Sequence, residues 1–355
     1  MQGDRFELDG LPTRVVFGAG RRADVPAEVT RLDGRRVLLV TGRSQAAVVA
    51  ELRGALGDRC AGVLDGAVEH VPVALAEQAR RAADDLAADV LVAVGGGSAI
   101  GLAKAVALTS GRPLLVVPTT YAGSEMTAIW GTTDGGRKTT GRDDRVRPRV
   151  VVYDPELTLD LPAATSAASG MNAAAHCVEA LWLPATNALV DAVAEEGLRQ
   201  LGEALPALAR DRHDRGARGT ALRGAWLGGT ALALAGTGLH HKICHELGGL
   251  GLPHAPVHAA VLPAVAALLA DAAPAAVDRV ARALGGGDGP AALRRLARQA
   301  GAPTSLAALG LRESEVDEVA ERVAAAGPAA PRPVSAVDVR RVLLDALAGD
   351  EAVPA

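Results

Sequence analysis

Five histidines fall between residues 240 and 258, in HHKICHELGGLGLPHAPVH, although the chain of 355 residues carries only eight. Imidazoles at this density can ligate a metal, move protons near neutral pH, or donate hydrogen bonds to an anion. His241 and His245 stand at i and i+4, so a helix through them presents both rings on one face. Asn172 and His176, in GMNAAAHCVEA, repeat that spacing on an earlier helical segment. Pro253 sets His254 just past a glycine-rich break, able to fold back on the same cavity. HExxH is absent, because Lys242 stands where that motif needs Glu. Six rings (His176, His240, His241, His245, His254 and His258) are too concentrated for scattered core histidines. His213, within RDRHDR, reads as solvated.

A second constellation suits phosphate. In VAVGGGSAIGLAKAVAL, Gly95, Gly96, Gly97 and Ser98 separate an apolar run from a helical one. Consecutive glycines allow a tight turn and close backbone approach, and the helix start offers free N–H groups to a pyrophosphate. The run is neither GxGxxG nor a P-loop. The next apolar run ends in VPTTYAGSEMT, where Thr119, Thr120, Ser124 and Thr127 crowd the carboxyl end of a strand, the edge at which parallel sheets bind ligands. Gly42 and Arg43, in VTGRS, stand where an acidic residue would grip a ribose 2′-hydroxyl. A small residue beside a cation leaves room for a 2′-phosphate, so NADPH is expected to be accepted as well as NADH. Lysine is scarce: of 37 basic residues only Lys104, Lys138 and Lys242 are not arginine. A residue type so avoided persists where arginine's wide planar fork will not serve.

These groups need elements to carry them. Apolar runs at 36–42, 61–66, 89–94 and 113–120 alternate with helical spacing at 45–56, 74–87 and 99–110, and 145–155 adds a last strand. Such alternation predicts a parallel sheet covered on both faces. Past Pro155 strand signals vanish. Helical spacing runs over 165–183, 187–210, 215–248, 256–270, 275–284, 290–301, 313–326 and 336–348, with GGGDG at 285–289 as a loop. The reading is an α/β dinucleotide-binding domain over 1–160, Rossmann-like, and an all-α catalytic domain over 161–355.

Composition agrees with two domains. Nearly half the residues, 49%, are apolar, yet only 2% are aromatic, so the core must be aliphatic. A net charge of −4 argues against nucleic-acid or membrane-surface partners. Cys60, Cys177 and Cys244 show no paired spacing, which predicts reduced thiols and a cytoplasmic protein. The start, MQGDRFELDG, has no apolar signal core. No uncharged apolar run reads as a span.

On GGGS, PTTYAGSEMT, GMNAAAHCVEAL and HHKICHELGG…LPH, the chain resembles the iron-containing alcohol dehydrogenase superfamily. LPTRVVFGAG, VEHVPV, YAGSEMTAIWG, KTTGRD, YDPELTLDLP and PRPVS are similar to its maleylacetate reductase branch. The resemblance implies a dehydroquinate synthase-like fold with the active site in the cleft between the two domains. It also implies a small-molecule substrate and a homodimer. In metal-dependent members, Asp, His, His and His hold the ion at positions matching Asn172, His176, His241 and His254, and His245 matches the ring facing the nicotinamide. Asn172 removes the only anionic ligand, leaving a weak amide oxygen against a dication; the branch carries Asn here and is metal-independent, so no metal is expected. His241, Lys242, His245 and His254 are then expected to stabilise an enolate, with His176 shaping the pocket and His258 behind them. Lys138 and His70 belong to the cofactor side. The implied reaction is NADH- or NADPH-dependent reduction of maleylacetate, or a related unsaturated or keto dicarboxylic acid, to 3-oxoadipate. The alternatives are a metal-dependent alcohol dehydrogenase using iron or zinc, a dehydroquinate synthase-type lyase or cyclase, a non-catalytic nucleotide sensor, and a biosynthetic relative with another substrate. The last gains room from Ala264 in VLPAVAALLAD, where the family usually has His.

Overall fold

The computed structural model describes residues 10–135 and 137–349; the first nine residues, read above for their lack of a signal core, lie outside these. The chain divides into two compact units, one over Gly10–Leu161 and one from Pro162 onward.

The first unit is built on β1 (Arg14–Phe17), α1 (Val25–Arg31), β2 (Val37–Thr41), α2 (Ala46–Leu56), β3 (Cys60–Asp65), α3 (Val73–Asp85), β4 (Val90–Gly95), α4 (Gly97–Ser110), β5 (Leu114–Pro118), β6 (Ile129–Asp134), β7 (Arg137–Arg142) and β8 (Val150–Tyr153). Six strands form one parallel sheet in the order β1-β8-β5-β4-β2-β3. Every residue of β2, β4, β5 and β8 is buried, whereas the edge strands β1 and β3 keep partly exposed positions. This is why the central strands read as unbroken Val and Leu runs: helices cover both faces, so no polar side is needed. Each such side chain stabilises the fold by roughly 1.5–3 kcal/mol. Chain direction switches between β2 and β4, since α2 leads to one edge and β4 resumes on the other side of β2.

Three strands escape the reading of periodicity. β1 is a four-residue edge strand, and β6–β7 is an antiparallel hairpin pairing Thr132 with Thr139 and Thr133 with Lys138. Its sequence, IWGTTD then RKTTGR, is polar and offers no apolar run. The Thr133 N–H donates to the Val71 carbonyl at 3.0 Å and ties the hairpin to the loop that carries His70.

The second unit is helical, as expected: α5 (Ala163–Ala180), α6 (Ala188–Arg210), α7 (Arg215–Ala235), α8 (Leu239–Gly249), α9 (His254–Leu269), α10 (Pro274–Ala283), α11 (Gly289–Ala300), α12 (Val316–Ala325) and α13 (Ala336–Ala348). α5 is buried from Ser166 to Ala180 and packs against α6, α7 and α9, so it forms the unit's axis. The segment expected as one helix over 215–248 is two. Gly236 leaves helical geometry at φ 83°, and Gly238, at φ −137° and ψ −138°, precedes α8. Gly238 tolerates no side chain: a Cβ there would lie 2.3 Å from the Ala329 carbonyl oxygen. The break re-aims α8 so that HHKICH meets α5.

Candidate active site

α5 brings Asn172, His176 and Glu179 along a buried helix, α8 brings His240, His241, Cys244 and His245, and α9 begins at His254 and carries His258 one turn later. The rings form a continuous cluster. His176 and His241 stack at 5.0 Å between centroids, and His245 stacks on His254 at 5.8 Å. His258 is the hub, with centroids 4.6 Å from His254 and 4.9 Å from both His240 and His241. His258 Nδ1 lies 2.9 Å from His240 Nε2, and its Nε2 lies 3.3 Å from His254 Nε2. His240, His241, His176 and His258 are buried, while His245 and His254 remain partly accessible.

Sequence reasoning missed Glu179. Its Oε2 accepts from His241 Nδ1 at 2.5 Å, and its Oε1 accepts from the His240 backbone N–H at 2.8 Å. The carboxylate therefore holds a ring and caps α8, whose start favours negative charge. The available signal was composition: Glu179 is the only charged residue in α5, and a buried lone acid must have a partner. His241 Nε2 and His176 Nδ1 are buried and receive no hydrogen bond from the protein, a state that calls for a ligand or water.

Burial holds His176, His240 and His258 well below the usual imidazole value, and neighbouring rings push in the same direction. Burial likewise pushes the Cys244 thiol well up, with Glu179 adding to it. Cys244 Sγ lies 3.7 Å from His240 Nε2. Among the described residues, His240, Cys244 and His258 are the one trio with metal-ligand atoms within 4.8 Å of one another.

Lys242 Nζ pairs with Glu246 Oε1 at 2.6 Å, and Glu246 also holds Arg322 at 2.8 Å. Ala264 is buried within α9. His213 is exposed and accepts from Arg212 Nε at 3.0 Å.

In the first unit, Gly42, Gly95 to Ser98 and Thr119 to Thr120 sit at the carboxyl ends of the adjacent strands β2, β4 and β5. This is the switch point at which open α/β sheets take ligands. Gly96 must lack a side chain: a Cβ there would come within 2.9 Å of Thr120 Oγ1 and Cγ2. Gly97 is exposed with open space where its Cβ would be, and no side chain caps the start of α4. Thr119 donates its N–H to the Gly95 carbonyl at 3.1 Å, joining the two loops.

Thr127 is buried, and its hydroxyl lies 3.0 Å from Lys104 Nζ. Lys104 is fully buried and also donates toward the carbonyls of Ser124, Thr127 and Ile129 at 2.7–2.9 Å. A compact ammonium reaches all of these; a guanidinium fork would not. Lys138 stands exposed on β7. His70 adopts a left-handed φ of 66° beside Glu69, whose carboxylate is 4.0 Å away.

The whole chain has close relatives. Residues 12–155 match the iron-containing alcohol dehydrogenase family, and residues 166–347 match the C-terminal region of that family. The chain is 47% identical to the maleylacetate reductase of Sphingobium indicum, over 97% of this chain and 98% of the relative. It is 49% identical to maleylacetate reductase 2 of Cupriavidus pinatubonensis, over 99% of each. It superposes on the crystal structure of maleylacetate reductase from Agrobacterium tumefaciens with a TM-score of 0.93 at 45% identity, covering 97% of this chain and 98% of that one. With both units matched end to end and the histidine cluster assembled, the chain belongs to the iron-containing alcohol dehydrogenase family.

Proposed function

We propose that this protein reduces maleylacetate to 3-oxoadipate with NADH or NADPH and without a metal ion. The observation that carries the reading is likeness over nearly the full length, at 42–49% identity, to maleylacetate reductases from several bacteria. A dehydroquinate synthase-type lyase or a metal-dependent alcohol dehydrogenase would not predict it.

The donor set supports the metal-free reading: Asn172 offers a neutral amide where the metal-dependent pattern has Asp. In the trio His240, Cys244 and His258, two of the rings, His240 and His258, hydrogen-bond to each other.

The glycine loop fits a dinucleotide, because Gly96 and Gly97 leave bare backbone beside the start of α4. Bound there, the reduced nicotinamide supplies a hydride. Maleylacetate's double bond is conjugated to its ketone, so hydride adds at the carbon β to that ketone. The electron pair moves onto the ketone oxygen, and the α carbon then takes one proton. The protein must stabilise this enolate and provide that proton. His176, His240 and His258 are held neutral by burial. The donor role toward the enolate therefore falls to His245 and His254, which are partly accessible, while His241 serves the proton: its Nε2 takes one up and, as an imidazolium held by Glu179, hands it to the α carbon. His176 shapes the pocket. Lys242, paired with Glu246, contributes to the local positive field.

The test follows reduced-nucleotide absorbance with maleylacetate and a panel of keto acids and aldehydes. Rapid oxidation with maleylacetate and slow oxidation with the others is expected. No maleylacetate-dependent oxidation with either nucleotide contradicts the reading.

A further inference from the structure

The buried carboxylate of Glu179 has no part in hydride transfer as described, yet it is the group behind the central ring. It is 1% exposed and sits on α5, sixty-two residues from His241 in sequence. Both its oxygens are committed, one to the His240 backbone N–H and one to the His241 ring. The structure assigns Glu179 as the positioning residue that fixes the tautomer and orientation of His241. The inference rests on the proposed reaction for its catalytic consequence, though not for its geometry.

The argument is one of donors and acceptors. A carboxylate accepts only, so His241 must place a proton on Nδ1. The backbone N–H of His240 donates only, so it keeps the other carboxylate oxygen in place and prevents the group from turning away. Gly238 guards the same spot, since a Cβ there would stand 3.2 Å from Glu179 Oε1. Nε2 of His241 is thereby turned to the buried edge where the protein offers it no partner. The stack of His176 on His241 holds the plane of the ring. The arrangement has the logic of the acid that orients a catalytic histidine in hydrolytic triads. There, replacing carboxylate by amide preserves shape, reverses the tautomer and lowers kcat about 10⁴-fold. Oriented second-layer carboxylates on other histidines contribute about 10- to 100-fold.

Glu179→Gln is the direct test, with Glu179→Asp as the conservative partner. A glutamine can satisfy the His240 N–H with its carbonyl oxygen, and then presents its amide N–H to His241 Nδ1. That ring must invert its tautomer or lose the bond. The readout is ¹⁵N-histidine NMR of the full chain after exhaustive chelation, with His241 assigned from a His241→Asn spectrum, together with steady-state kinetics. In the wild-type chain His241 is expected as the Nδ1–H tautomer with a strongly downfield ring proton. In Glu179→Gln that signal moves to Nε2–H, and kcat falls at least about 100-fold while KM for the nucleotide stays within about threefold. Glu179→Asp recovers part of both.

A wild-type His241 protonated at Nε2 and bare at Nδ1 overturns the assignment. So does an unchanged tautomer or kcat in a folded Glu179→Gln chain. If the glutamine variant does not fold, the wild-type and aspartate spectra still decide. If wild-type protein fails to reduce maleylacetate, the proposed function falls, and the spectra judge Glu179 separately.

Discussion

His241 meets Glu179 through Nδ1 and leaves Nε2 without a protein partner, so its loss should touch chemistry before binding. His241→Asn is expected to lower kcat with maleylacetate by about 10²–10⁴-fold while leaving nucleotide affinity, measured by fluorescence titration, nearly unchanged. A parallel loss of nucleotide affinity would count against a catalytic role. Asn172 makes the complementary prediction. Asn172→Asp restores an anionic donor beside His176 on α5, so this variant should retain zinc or iron through purification where the parent chain does not, as elemental analysis would show. Much of this was readable from spacing, because i and i+4 histidines share a helix face whatever surrounds them. Glu179 was not, since its role depends on a ring contributed by a different helix. The Lys242–Glu246 pair has that same i, i+4 spacing; what spacing does not show is that Glu246 also holds Arg322 from another helix.

At the scale of elements, the glycine loop and the loop after β5 interlock through Gly96 and Thr120. Gly96→Ala is expected to raise KM for NADH and NADPH by at least about tenfold. The methyl group must displace the Thr120 side chain or the backbone beside it, and overpacking of this kind typically costs about 1–3 kcal/mol. Unchanged nucleotide KM would remove Gly96 from the binding loop. The alternation of strands and helices in the first unit was legible because fully covered parallel strands must be continuously apolar. The β6–β7 hairpin was not, because its half-buried Thr132 and Thr133 and its exposed Thr139, Thr140 and Arg142 carry no burial signal. The break between α7 and α8 was hidden for a related reason. The break and its flanking helices share the same Ala, Leu and Gly composition, and only the demand of the Ala329 carbonyl on Gly238 marks where the chain must turn.

Across the whole molecule, three histidines folded in neutral form make stability depend on acid. His176, His240 and His258 have folded values well below their unfolded value near 6.5. As pH falls below that value the unfolded chain binds protons that the folded chain refuses. Stability is therefore full above about pH 6.5 and is lost as pH falls toward the depressed folded values. Each such group steepens the loss by up to about 1.4 kcal/mol per pH unit. Urea unfolding between pH 7.5 and 5 should show this slope, and His258→Asn should flatten it; an equal slope in the variant would mean that other groups carry the effect. Among the described residues no helix is long and apolar enough to cross a membrane, and the three cysteines are free.

Metal content and turnover measured on the same sample bear most directly on how the developing charge is met. Protein stripped with a strong chelator, and verified by elemental analysis to hold far less than one transition-metal ion per chain, should oxidise reduced nucleotide with maleylacetate at its original rate. Activity that disappears on stripping and returns with one equivalent of iron or zinc would mean that a cation, and not the imidazoles of α8 and α9, stabilises the enolate.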